Sequence, residues 1–133
     1  MNRFIVFSLF LIFTTATAFA QKGYNIRVKL DNYAENELIL GFHYGDKQYV
    51  KDTVTLGADG YFTFKADTLL PCGVYMFVLK PDNSFIQILL PDTDQDFTIS
   101  TDAKDAVFKM KTKGTEDNQI FYEYLGYLGK MRV

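Results

Sequence analysis

From Tyr24 onward apolar and polar residues alternate. Tyr24, Ile26, Val28 and Leu30 fall on one side and Asn25, Arg27 and Lys29 on the other, the period of two that marks a half-buried strand. A polar break over 31–36 leads to a second run, Glu37 to Tyr44, in which Leu38, Leu40 and Phe42 share a face and His43 takes the opposite one. Gly45-Asp46 then signals a turn, because glycine tolerates positive φ and aspartate bonds its own backbone. A third run spans Gln48 to Leu56, with Val50, Asp52, Val54 and Leu56 on one face. Gly57-Ala58-Asp59-Gly60 reverses into Tyr61 to Lys65, so residues 48–65 read as a hairpin. Gly73 to Lys80 is almost continuously apolar. Pro81-Asp82-Asn83 turns the chain into Ser84 to Leu90, residues 91–95 turn it again, and Asp96 to Thr101 is a short strand. Ala106 to Lys111 is expected to be the last strand.

The period changes after Gly114. Thr115 can cap a helix, Glu116 and Asp117 sit in its first turn against the positive end of the dipole, and Ile120, Phe121, Tyr124, Leu125 and Leu128 recur at helical spacing. Gly126 and Gly129 each cost about 1 kcal/mol relative to alanine inside a helix, so the helix needs something packed on it. The pattern predicts an all-β, antiparallel β-sandwich of about seven to eight strands with one C-terminal α-helix. The β-sandwich domain is expected over 21–112. Residues 113–133 read as the start of a helical segment that breaks off at Val133, as in a truncated chain.

The first 20 residues lie outside that pattern. Arg3 supplies a positive n-region, Phe4 to Phe13 an apolar h-region, and Ala18-Phe19-Ala20 an A-x-A cleavage site. The apolar run breaks at Thr14-Thr15, short of the roughly 20 residues that a spanning helix needs. A cleaved signal peptide over 1–20 is therefore expected, with the mature chain exported to a periplasm or cell envelope and keeping no integral membrane segment. Without Arg3, 13 of the 14 basic residues remain against 16 acidic ones. That balance, and the lack of any Lys/Arg cluster, argues against a nucleic-acid partner.

Candidate chemistry is sparse. His43, the single histidine, has Asp46, Lys47 and Asp52 nearby in sequence, yet its face points to solvent and no G-x-S-x-G or second histidine accompanies it. It reads as part of a turn between strands. Asp52 shares a face with valines and a leucine, where a lone carboxylate is costly to bury. It either accepts backbone N–H bonds from a neighbouring turn, sits at a bulge that turns it outward, or binds a ligand. Asp92-Thr93-Asp94-Gln95-Asp96 starts like a calcium loop, but Phe97 and Ala103 stand where an EF-hand needs glycine and glutamate, so it reads as an acidic turn. Cys72 has no second cysteine with which to cycle. It reads as a small, partly buried and inert loop residue, with a mixed disulfide to a partner as the alternative. Tyr24, Tyr44, Tyr49 and Tyr61 would be the members of any aromatic binding face. No cofactor and no metal site is implied.

Several motifs in order resemble a known family. These are Gly23-Tyr24 opening a strand, G-F-H-Y-G-D-K-Q-Y-V-K-D-T over 41–53, G-A-D-G-Y-F-T-F over 57–64, L-P-C-G-V-Y over 70–75 and K-G-T-E-D-N-Q-I-F over 113–121. They resemble the N-terminal β-domain of unknown function found ahead of thioredoxin-like domains in exported bacterial thiol–disulfide oxidoreductases. The resemblance implies an envelope location and a thioredoxin-like domain or envelope protein as partner. It carries no catalytic residue into this chain. Family members continue into further helices and a C-x-x-C, and they usually have a small residue or glycine where Cys72 stands. The expectation is thus a noncatalytic accessory domain that docks through Phe121, Leu125 and Leu128, with Asp52 and Cys72 as further contacts. The alternative is a stand-alone envelope module for a glycan or peptide.

Overall fold

A computed structural model describes residues 22–132. The expected signal peptide lies outside the described residues. The strands are β1 (Tyr24–Asp31), β2 (Glu37–Tyr44), β3 (Lys47–Thr55), β4 (Phe62–Ala66), β5 (Gly73–Leu79), β6 (Ser84–Leu90), β7 (Asp96–Asp102) and β8 (Lys111–Lys113), followed by one helix, α1 (Glu116–Met131). They form two four-stranded sheets, ordered β4-β1-β7-β8 and β3-β2-β5-β6.

Alternation places the core between these sheets. Ile26, Val28, Phe62, Phe64, Phe97 and Ile99 come from the first sheet and Leu38, Leu40, Phe77, Ile86 and Ile88 from the second, and all are buried in one cluster. Phe64 stacks on Phe77 across the layers, with ring centroids 5.7 Å apart. Burying each of these side chains stabilises the fold by about 1.5–3 kcal/mol. The surface ion pair Arg27–Asp96, at 3.0 Å, adds little because both groups are partly hydrated.

The β2–β3 hairpin forms where the Gly45-Asp46 signal predicts it, with Tyr44 paired to Lys47 and His43 to Gln48. Gly45 takes a φ of 65°, the left-handed value wanted at the first central position of a type II′ hairpin turn. The expected hairpin over 48–65 does not form. β3 pairs only with β2 and β4 only with β1, so Gly57–Gly60 is an arch that carries the chain from one sheet to the other. Its backbone is satisfied locally: Gly57 N–H donates to Tyr61 O at 2.9 Å and Leu56 N–H to Asn36 O at 2.8 Å.

Three further expectations change. β1 runs parallel to β7, from Asn25 beside Asp96 to Asp31 beside Asp102, the one parallel pair in a sandwich whose other strand pairs are antiparallel as expected. Alternation fixes which face is buried and carries no sign of strand direction. Residues 106–109 form a turn and not a strand, and of the expected segment only Lys111 lies in a strand. Ala103, Ala106, Val107 and Met110 pack against the core at spacings of three and four, which is a helical turn's period, and Thr101 Oγ1 donates to Ala106 O at 2.8 Å to hold that turn. The last strand is the short β8 that follows. Finally, Lys51 is an extra residue in β3: Leu40 faces Asp52 while Gly41 faces Val50. The bulge puts Asp52 and Val50 on opposite sides, so Val50 is exposed.

Candidate interaction surface

α1 covers the outer edge of β6, and one side chain makes that possible. Asn118 is fully buried. Its Oδ1 accepts the Leu89 N–H at 2.8 Å, and its Nδ2 donates to Leu89 O at 2.9 Å and to Thr115 Oγ1 at 2.9 Å. The amide takes the place of the strand that β6 lacks on that side, and it satisfies a backbone pair that burial would otherwise leave costly. One turn on, the Tyr122 hydroxyl donates to Gln87 O, and burial pushes its pKa up to about 12. Thr115 stands at the N-cap position but makes no side-chain bond to the helix backbone; its oxygen is taken by Asn118. Near the other end, a Cβ on Gly129 would lie 2.8 Å from Phe108 Cζ, so glycine lets the helix sit against that ring.

The helix face toward the body is therefore Asn118, Tyr122, Leu125 and Gly129. The expected docking set is redistributed by this geometry. Phe121 and Leu125 are half-buried and pack against the core, and Leu128 is half-buried on the flank. The opposite side of the helix carries Ile120, Tyr124, Tyr127 and Met131, exposed by 56, 57, 62 and 66 %. Their spacing of four, three and four draws one straight apolar stripe along the helix. Charge on the helix is limited to Asp117, at the start of the stripe, and a narrow strip with Glu116, Glu123 and Lys130. A helix apolar around most of its circumference belongs in an interior, and here half of it is bare. A shallow groove of about 360 Å³, lined by Leu89, Ile120, Phe121 and Tyr124 with Asp117 at its edge, joins the stripe to the second sheet. The outer face of that sheet is also apolar, with Val74, Met76 and Val78 on β5 and Phe85 on β6. That explains the unbroken apolar run of β5, whose two faces are both lined with apolar side chains.

The remaining candidates are not gathered with the helix. Asp52 sits on β3, at the edge of the second sheet farthest from β6. It is half-buried on the side of Leu40, and its Oδ1 accepts the N–H of its neighbour Thr53 at 2.8 Å. The Tyr24 hydroxyl is raised in pKa by burial first and by the Asp52 charge second. Cys72 is free and exposed, where the sequence suggested partial burial: the Pro71 carbonyl beside it is held by the Tyr75 hydroxyl at 2.7 Å, and Gly73 after it is exposed too, leaving the thiol outside. Of the four candidate tyrosines, Tyr24 is a core residue at 6 % exposure, whereas Tyr44 and Tyr49 are exposed on the β2–β3 hairpin, with Tyr49 stacked on Phe42 at a centroid distance of 5.5 Å. His43 is exposed on the hairpin. Among the described residues no group of three or more His, Cys, Asp or Glu side chains is placed to hold a metal ion, and no helix is long and apolar enough to cross a membrane.

Residues 24–121 match the family model described as Domain of unknown function (DUF4369). The chain belongs to the DUF4369 family. No curated protein and no solved structure matches it. The DUF4369 match runs from the first residue of β1 into the second turn of α1, so it includes the anchor Asn118 and the first stripe residue, Ile120. Sequence periodicity located the helix but not its outward side, because Ile120 and Tyr124 look as core-like as Phe121 and Leu125. The polar residue Asn118 was the available signal: at spacings of four and seven from Tyr122 and Leu125 it marks the inward face.

Proposed function

We propose that this DUF4369 domain is a noncatalytic interaction module of an exported periplasmic or envelope protein of the thioredoxin-like thiol–disulfide oxidoreductase class. The observation that carries the reading is the helix with two apolar sides, one bonded to β6 and the other bare. A contiguous uncovered patch of this kind marks an interaction site. The five motifs that resemble the domain found ahead of thioredoxin-like domains support the redox association. The signal-like first 20 residues support export. The chain's one cysteine cannot itself run a dithiol cycle, so the domain's contribution is positional: it holds a redox domain or an envelope partner in place. A stand-alone glycan or peptide module would draw on a tyrosine face, and the burial of Tyr24 weighs toward the first reading.

Photo-crosslinking residues placed at Phe85 and Tyr124 in cells test it, with Tyr44 at the hairpin tip as reference. The expected result is protein adducts from the first two positions and none from Tyr44, with a thioredoxin-like protein among the Phe85 adducts. Absence of adducts from both positions, or reduction of insulin disulfides by the purified mature chain, would contradict the proposal.

A further inference from the structure

The outer stripe of α1 has a seam's spacing, and its flanks say what fits it. In a heptad numbered on the stripe, Ile120 and Tyr127 are d positions and Tyr124 and Met131 are a positions. Phe121 and Leu128 then occupy the e positions, and Glu116, Glu123 and Lys130 the g positions. Tyr122 and Gly129 fall at f, directly opposite, which is the side turned toward β6 and Phe108. The seam therefore faces away from β6, with Glu123, Tyr127 and Lys130 bordering a groove shared with Phe108 and Lys111 on one side and Ile120 and Tyr124 bordering one shared with Leu89 on the other.

Glu123 and Lys130 stand seven residues apart on the same flank. At 1.5 Å per residue they are separated by roughly 10 Å along the axis, too far to pair with each other. Glu123's side-chain contact is a 3.4 Å hydrogen bond from Gln119, and among the described residues neither Glu123 nor Lys130 makes an ion pair. An acid and a base held apart on one edge of an apolar seam are self-complementary when the seam is turned end for end. A parallel partner does not use them, since it would set Glu123 against Leu128 and Glu116 against Phe121.

We infer that the outer face of α1 pairs antiparallel with α1 of a second copy of this chain, making the domain a dimerisation module. In this register Ile120 packs on Met131 of the second copy and Tyr124 on Tyr127 of the second copy. Glu123 faces Lys130 of the second copy on one flank, and Phe121 faces Leu128 of the second copy on the other. Two-fold symmetry makes each contact twice, as an isologous interface requires. Glu116 and Asp117 in the first turn and Lys130 in the last also bring acidic helix ends beside basic ones, and the two macrodipoles oppose each other. Asp117, at an a position, falls beyond the overlap and is not buried by it. The inference rests on the interaction-module reading and names the partner of its helical face.

Sedimentation equilibrium of the mature chain tests it. A two-heptad seam is small, so dimerisation is expected at roughly tens to hundreds of micromolar. Glu123→Lys and Lys130→Glu should each weaken it about tenfold, since each exchanges two attractive pairs for two repulsive ones. The double variant should return to within about threefold of the starting Kd. Tyr124→Asp should leave only monomer, with an unchanged circular dichroism spectrum showing that the fold is intact. A chain that stays monomeric up to about 1 mM, or single variants that dimerise like the parent, or a double variant no better than the singles, would each overturn the pairing. A thioredoxin-like adduct at Phe85 would stand in all three cases, so this failure is distinct from failure of the broader proposal.

Discussion

The Asn118 side chain bonds both backbone groups of Leu89, accepting from its N–H and donating to its C=O. A helix thereby completes a sheet edge that would otherwise be open to another strand. Asn118→Ala leaves two buried backbone groups without partners, each worth about 1–3 kcal/mol. The expected loss is about 2–4 kcal/mol in denaturant unfolding. Asn118→Asp should lose a comparable amount, since a carboxylate cannot donate to Leu89 O and presents a charge to it.

The fold was legible where alternation alone decides it. Ile26, Val28, Leu38 and Leu40 fall inside as their spacing implies, and the Gly45-Asp46 turn joins the strands it should. What alternation cannot carry is which strand lies beside which. The arch at Gly57–Gly60 and the parallel β1–β7 pair depend on packing between segments far apart in sequence. Gln95 shows the same limit at one residue. It reads as part of an acidic turn, yet it is 1 % exposed, accepting the Leu70 N–H at 2.9 Å and donating to Leu70 O and Pro91 O at 2.8 Å each. Nothing local to a D-x-D-Q-D stretch says that one amide will pin a loop 25 residues away. The interaction surface was half legible: the helix was clear, and its outward side required knowing that Asn118 turns in.

Alkaline stability should report on Tyr122. Burial raises its folded pKa from 10.0 to about 12, so above pH 10 the unfolded chain releases a proton that the folded chain retains. The associated stability is fully present below pH 10 and is lost as pH rises toward 12, by an amount of order 2 kcal/mol. Tyr24, Tyr33 and Tyr75 are raised by burial as well and add to the decline. Tyr122→Phe should be less stable by about 1 kcal/mol at neutral pH, because Gln87 O loses its donor. Its stability should fall less steeply between pH 10 and 12. Equal slopes in the two proteins would show that the hydroxyl is hydrated in the folded state.

The two helix glycines should respond differently to alanine. A Cβ on Gly126 meets nothing within 4 Å, so Gly126→Ala should stabilise the chain by about 1 kcal/mol through helix propensity alone. A Cβ on Gly129 would press on Phe108, an exposed ring able to swing aside, so Gly129→Ala should be close to neutral. Thermal unfolding separates them: the first variant melts higher, and the second stays near the parent.

The central claim is that the outer face of α1 is covered in the cell. The most direct measurement is the rate of maleimide labelling at Ile120→Cys in a Cys72→Ser chain, with Lys51→Cys on β3 as reference. In dilute purified protein both positions should react at similar rates, as exposed thiols do. In intact cells the ratio of Ile120→Cys to Lys51→Cys labelling should fall, because a bound partner removes the stripe from solvent in proportion to its occupancy. An unchanged ratio in cells would mean that the stripe faces water where the protein works, and would contradict the account.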